Sequence, residues 1–203
     1  MLLAFDASSS ACTVALFDGE GTCVGKRDEL VGRGHAERLV PMMAELLGGG
    51  SASAILVGVG PGSFTGIRVA IAAAHGLAIG WGAELKGMSS LALLAAGGAS
   101  DGEVAVAVTG GHGELFVQQF DAANLEPISE LENLAPVKAA RFATAALVVG
   151  SGAKHLVEAR GWGEAREAWP SAANALRLPE RLRMLPPKPV YARAPDARVR
   201  EAA

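Results

Sequence analysis

The stretch Gly60-Pro61-Gly62-Ser63-Phe64-Thr65-Gly66-Ile67-Arg68 holds the residue types in this chain best suited to chemistry. An apolar run leads into it and an alanine-rich apolar segment leads out. That order predicts a buried strand, a glycine-rich loop and a helix. Glycines in such a loop permit positive φ and close approach of a ligand or of another backbone. The free N–H groups of a helix start favour an anion. The same residues also suit a tight turn that packs Phe64 and binds nothing, and local sequence leaves both readings open. The loop lacks the Gly-Lys-Ser/Thr ending of a Walker motif and is no dinucleotide fingerprint. Arg68 can hold a carboxylate or phosphate, or pin the loop through carbonyl oxygens.

Asp6 closes an apolar run and is followed by Ser8, Ser9 and Ser10. A carboxylate there can cap the turn through local hydrogen bonds. The serines have no histidine nearby, so nucleophilic catalysis is unsupported. The histidines are His35, His75, His112 and His155. Two histidines four apart on a helix could share one metal ion. Here Leu39 follows His35 at that spacing and Ile79 follows His75. No His-Glu-x-x-His motif is present, which removes a metallopeptidase reading.

The chain has 203 residues, 50% hydrophobic and 19% charged, with a formal net charge of −3. That length fits one large domain or two small ones. A domain that grips nucleic acid unaided is usually basic, so any service to RNA is expected to run through a partner. A basic run holds Arg177, Arg181, Arg183, Lys188, Arg193, Arg198 and Arg200. It suits a solvated face or an electrostatic aid to RNA binding. Cys12 and Cys23 make no metal signature and no disulfide framework, and both read as small buried hydrophobes. The start has no basic leader, and the apolar run at 69–81 is short for a membrane span, so cytoplasm is the expected location.

The elements that must position these residues follow from periodicity. Strands are predicted at 2–6, 12–17 and 22–28 as an antiparallel meander, with a hairpin turn at 18–21. A helix follows at 35–47, in which Pro41 should shift the start or kink the axis. Further strands are expected at 55–60 and 83–87, and helices at 67–79 and 89–96, the last capped by Ser89 or Ser90. A boundary is placed at 97–102. Strands at 103–109 and 114–121, a helix at 135–145, a strand at 147–150 and helices at 153–160 and 171–185, the last interrupted at Pro179, complete the chain. Both halves open with hairpins and go on to alternating elements, which suggests a duplicated α/β unit.

Taken as strings, GPGSFTGIR at 60–68, the opening LLAFDASSSACTVALFD, HAERLVPMM at 35–43 and PVYAR at 189–193 resemble the TsaB (YeaZ) family. The likeness is close up to about residue 95 and thin beyond. Where that family tends to carry Asp-x-Arg before Gly-Glu, this chain has Thr109 and Gly111 before Gly113-Glu114. The resemblance implies an α/β fold of the actin-like, Hsp70-like, sugar-kinase-like (ASKHA) kind, with two lobes of mixed sheet plus helices, at 1–100 and 101–203. It further implies a non-catalytic subunit that pairs with TsaD and with the ATPase TsaE. Together these make N6-threonylcarbamoyladenosine beside the anticodon of tRNA. No cofactor is expected in this chain, with ATP and metal on partner subunits. tRNA is expected to be met only through the complex, no membrane is involved, and a homodimer is expected.

Interface candidates are His35, Leu39, Met42, Met43 and Leu46 on the first helix and Ile67, Ala70, Ile71, Ala74 and Leu77 on the second. Actin-like ATPases place a carboxylate near the metal–phosphate centre at the end of their first strand. Asp6, Ser8 and Ser9 are therefore a possible degenerate nucleotide site. The alternative function is a weak ATPase or small-molecule kinase using Asp6 and the glycine-rich loop.

Overall fold

The computed structural model describes residues 1–192. The first half gives β1 (Leu2–Asp6), β2 (Ala11–Phe17), β3 (Cys23–Leu30), α1 (His35–Leu47), β4 (Ala54–Gly58), α2 (Phe64–Trp81), β5 (Glu84–Met88) and α3 (Ser90–Gly98). The second gives β6 (Glu103–Thr109), a 3-10 turn (Gly111–Gly113), β7 (Leu115–Asp121), β8 (Glu132–Leu134), α4 (Pro136–Phe142), β9 (Leu147–Val149), α5 (Ala153–Arg160), β10 (Glu164–Arg166), a 3-10 helix (Ala172–Arg177) and α6 (Glu180–Arg183).

These strands form two five-stranded sheets, ordered β3-β2-β1-β4-β5 and β10-β9-β6-β7-β8. In each, the first three strands in sequence form an antiparallel meander and the last two add in parallel. Reading β6 as β1, β7 as β2 and so on makes the two orders identical. The duplicated unit expected from element order is thus present in the topology.

Three apolar clusters divide the molecule into layers. One lies between the first sheet and α1 and α2, built on Phe5, Val14, Leu39, Met42, Ile55 and Ile67. Another lies between the second sheet and α4 and α5. Between them sits α3, packed on β6 and on the 3-10 helix at Ala172–Arg177. Every residue of α3 except Gly97 is buried, which its continuous Leu/Ala composition requires. Ser89 caps this helix, its hydroxyl oxygen accepting from the Ala92 N–H.

Several expectations are corrected. The helix expected at 171–185 is broken at Pro179 as read, but its first part is not α-helical. A 3-10 helix and the four-residue α6 stand there instead, separated by Leu178 and Pro179, since proline cannot continue a helix. Helix α1 runs its full length through Pro41, whose side chain is exposed, so the carbonyl that loses its partner can turn to water. Strands β8 and β10 went unread because three polar-rich residues carry no alternation, and only pairing makes them strands. Cys12 is buried in β2, where burial pushes its thiol up to about 11, but Cys23 is exposed. Helix α2 is long and apolar enough to cross a membrane by length and composition, although one face lies in the core.

After β10 the chain returns to the first sheet. The Trp169 indole Nε1 donates to Ser10 Oγ at 2.9 Å and the Ala172 N–H donates to Thr13 Oγ1 at 2.7 Å. Thr13 in turn donates to Asp28, which also accepts from Ser171. Further on, Leu185 and Gly87 exchange backbone hydrogen bonds of 2.7 and 3.0 Å, and the Val190 N–H donates to the Val59 carbonyl at 2.8 Å. Replacing Thr13 with Val keeps the shape but strands the buried Ala172 N–H. Thr13→Val should cost about 1–3 kcal/mol in urea unfolding, and a loss below about 0.5 kcal/mol would refute this role for the hydroxyl.

Candidate functional site

The Asp6 carboxylate is fully buried at the end of β1 (0% exposed). The Ser8 N–H and Ser8 hydroxyl each donate to its Oδ1 at 2.7 Å, and the Ser90 hydroxyl donates to Oδ2. Ser90 Oγ also accepts from the Gly60 N–H at 3.0 Å. Glycine is needed at the end of β4 because a Cβ on Gly58 would lie 1.7 Å from Asp6 Oδ2. One side chain thus joins β1, β4, the start of α3 and the glycine-rich loop. Burial raises its carboxyl above the ordinary value, against the hydrogen bonds from Ser90 and Ser8 and the nearby His35, which lower it.

Gly62 and Gly66 of the loop are explained by backbone contact, and Gly60 by its φ of 94° and the Ile67 side chain, which a Cβ there would meet at 2.6 Å. A Cβ on Gly62 would sit 2.0 Å from the Ser8 carbonyl oxygen, and one on Gly66 would sit 1.9 Å from that of Ala7. The Ser63 N–H donates to the Ser8 carbonyl at 2.6 Å, and Ser63 Oγ accepts from the Gly66 N–H at 3.2 Å, capping α2. The loop and the β1–β2 turn are pressed backbone to backbone. His35 fixes the same turn from the other side, its Nε2 lying 2.7 Å from the Ser9 carbonyl oxygen. The close approach of another backbone accounts for Gly62 and Gly66, but the turn does not pack Phe64, which is exposed.

Beside this node a cleft of about 930 Å³ opens between the two sheets. Ser8, Ser9, Ser10, Gly62, Ser63, Phe64, Ile67 and Arg68 line one side. Val108 to His112, Phe116 and Ser151 line the other, with Val190, Tyr191 and Ala192 at the edge. Asp6 is not part of this lining, although Ser8 and Ser9 are. Thr109 and Gly111 therefore stand on the cleft's far wall, and the Thr109 N–H donates to Ser151 Oγ at 3.1 Å. At the mouth, the Arg68 guanidinium carbon lies 3.5 Å from the centre of the Phe64 ring, and Arg68 Nε donates to Tyr191 Oη at 3.1 Å. Sequence reasoning assigned Tyr191 no role, since 123 positions separate it from Arg68. Thr65 is exposed on the first turn of α2.

The proposed interface residues need correction. Leu39, Met42, Met43, Ile67, Ala70, Ile71 and Ala74 are buried in the first lobe's own core, with Leu46 and Leu77 half-buried against it. His35 is buried as well. Spacing identified a real helical face, but it is the inward one. Outward on α2 lie Ala72, His75, Gly76 and Ile79, and on α1 lie Ala36, Val40 and Ala44. In the basic run, Arg177 donates to the Ala96 carbonyl and Arg181 pairs with Glu126, so both serve the fold. Arg193, Arg198 and Arg200 lie outside the described residues. Among the described residues no group of three or more His, Cys, Asp or Glu could hold a metal ion.

Two predictions follow from this node. Gly66→Ala should destabilise by more than about 2 kcal/mol because its Cβ meets backbone that cannot yield. Gly76→Ala on the same helix meets nothing within 4 Å and should gain about 0.5–1 kcal/mol. Equal effects in urea melts would refute the contact. For Asp6, the raised folded-state value means that its stabilising share is complete below the ordinary 3.8 and is lost as pH rises through the folded value. Asp6→Asn does not titrate. Wild-type stability minus that of Asp6→Asn should therefore fall from about pH 4 upward and then level. A difference that rose over that range in stepped-pH melts would contradict the burial argument.

Comparison with known proteins agrees with this architecture. Residues 25–161, more than half of the chain, match the family model described as TsaD, tRNA N6-adenosine threonylcarbamoyltransferase. The tRNA threonylcarbamoyladenosine biosynthesis protein TsaB of Escherichia coli is 41% identical over 101 residues, 47% of this chain and 43% of that protein. Its counterpart in Haemophilus influenzae is 42% identical over 100 residues, 46% of this chain and 41% of that protein. The aligned part thus spans less than half the length of these curated relatives. The solved structure of YeaZ from Pseudomonas aeruginosa superposes with a TM-score of 0.78 at 30% identity, covering 94% of this chain and 98% of that one. Another Pseudomonas aeruginosa structure, described as similar to peptidase YeaZ, gives the same score and identity over 95% and 99%. The paired mixed sheets with a cleft between them are the actin-like fold, and the chain belongs to the TsaB (YeaZ) family.

Proposed function

We propose that this chain serves the formation of N6-threonylcarbamoyladenosine in tRNA as a scaffold subunit that pairs with TsaD. The observation that carries the reading is the outward side of α1 and α2, which pack side by side. Ile79 is 84% exposed and Val40 54%, among small residues Ala36, Ala44, Ala72 and Gly76. A helix pair that leaves aliphatic and small side chains in water lets the helices of another lobe approach closely. The expected occupant is the matching helix pair of TsaD, whose family model this chain fits, with a second copy of the chain as substitute when TsaD is absent. TsaE then binds the pair, and ATP and metal are held on those partner subunits. tRNA is reached through the assembly, in the cytoplasm, in keeping with the net charge of −3.

The test uses the outward face. A carboxylate at Ala74 would enter the core and unfold the lobe, whereas Ala72 and Ile79 face water. The double variant Ala72→Glu with Ile79→Glu should keep its urea midpoint. Its affinity for TsaD should fall at least about tenfold, and tRNA modification by the reconstituted complex should fall with it. Unchanged co-purification with TsaD and an unchanged size in solution would disprove this face.

A further inference from the structure

The first sheet ends in an open edge. Strand β3 pairs with β2 and has no strand on its other side among the described residues, and none of its eight residues is buried. The remaining edges are bridged or short. The outer side of β5 is bridged at Gly87 by Leu185, and β8 and β10 are three residues each. A bare edge as long as β3 is a template for another strand. Its ladder to β2 fixes which backbone groups are free. The Val31 N–H donates to the Ser10 carbonyl at 2.9 Å, and going along the pair Glu29, Arg27 and Gly25 stand opposite Cys12, Val14 and Leu16. Antiparallel pairs alternate between hydrogen-bonded and open. Gly25, Arg27 and Glu29 therefore bond to β2, whereas Lys26, Asp28 and Leu30 turn their N–H and carbonyl groups outward.

The side chains of this edge are their own complement. The order Lys26-Arg27-Asp28-Glu29 runs from basic to acidic. A two-fold axis at Arg27 sets Lys26 opposite Asp28 of the second copy and Asp28 opposite its Lys26. The exposed Leu30 then meets Val24, also exposed, at either end. Opposite charges directly across a sheet stabilise the pairing and like charges weaken it. Within one chain Lys26 Nζ lies 3.8 Å from Asp28 Oδ2, a loose exposed pair that a second copy can share. Arg27 meets its own copy on the axis, and there Glu45 of each chain, 3.8 Å from Arg27 Nε, offsets the charge. Moving the axis by one residue sets Asp28 against Asp28 or Lys26 against Lys26. Glu29 offers Arg27 little in such a register, because Arg38 already donates to both of its oxygens at 2.6 Å.

We propose that β3 pairs antiparallel with β3 of a second copy of this chain about a two-fold axis at Arg27, joining two five-stranded sheets into one of ten strands. The pairs that meet, Lys26 with Asp28, are the ones whose backbone groups point outward, so charge and hydrogen bonding select the same register. An edge built only to repel would carry one sign of charge, and this one carries both in self-matching order. The contact is separate from the outward side of α1 and α2 and holds whether or not TsaD binds there. It rests on one strand from each chain, so the dimer should be half formed at roughly 10–100 µM.

The test starts from the full chain carrying Ala72→Glu and Ile79→Glu, which closes the helix face to a second copy, with Cys23→Ser to remove the exposed native thiol. Sedimentation equilibrium should show a monomer–dimer equilibrium in the range above. Lys26→Pro deletes an outward N–H and spares the ladder to β2, so it should weaken the dimer at least about tenfold. Cysteines then report the register. Residues across an open antiparallel pair have Cα atoms about 4.5 Å apart, within disulfide reach. The thiols of Leu30→Cys would stand about 20 Å apart along the strands. Mild oxidation should therefore link Arg27→Cys chains at least about tenfold faster than Leu30→Cys chains. The proposal is overturned if the starting chain stays monomeric up to about 1 mM, if Lys26→Pro dimerises as its parent does, or if the two cysteine variants cross-link alike.

Discussion

A carboxylate sealed from water has to be surrounded by donors, and that requirement at Asp6 organises the first lobe. Its two oxygens take hydrogen bonds from Ser8 and Ser90 and leave no room for a side chain at Gly58. A buried acid left short of donors would cost several kcal/mol, so the surrounding residues are constrained together. The β1–β2 turn must curl back on Asp6, α3 must start with Ser90 beside it, and the glycine-rich loop must lie flat on the carbonyls of Ala7 and Ser8. Of the residues most suggestive of chemistry on first reading, Asp6 is sealed in the joint that fixes one wall of the cleft, whereas Ser9, Ser63 and Arg68 face the cleft itself.

The strand–loop–helix at the glycine-rich segment was legible because an apolar run, glycines and an alanine-rich run each specify their own piece of backbone, although the Ser63 cap starts the helix at Phe64 rather than at 67. The doubled order of elements was legible for the same reason, although the halves share no evident sequence repeat. The inward side of α2 was not. Ile67, Ala70, Ile71 and Ala74 recur at helical spacing, but Val69, Ala72, Ala73 and Ile79 are as apolar, and a helix greasy all round gives no sign of which side meets its own sheet. Burial decides it, and burial depends on β1 and β4, which lie elsewhere in the chain.

The cleft was less legible still. Its walls come from the β1–β2 turn, the glycine-rich loop, the turn after β6 and the residues Phe116 and Ser151, and Tyr191 reaches Arg68 only because the chain returns along β5 through Gly87 and Leu185. No local pattern encodes such a meeting.

The two repeats are alike in strand order yet unlike in their outer helices. Around α2 the outer layer is aliphatic, whereas α5 is eight residues long and turns Lys154, His155 and Glu158 to water. A building block greasy at both ends could add copies head to tail without limit, as any surface that meets a different surface does unless the rotation closes. With an aliphatic outer layer at one end and a charged one at the other, the proposed helix-face contact would use one end only, and head-to-tail growth through the second end has no matching apolar layer to build on.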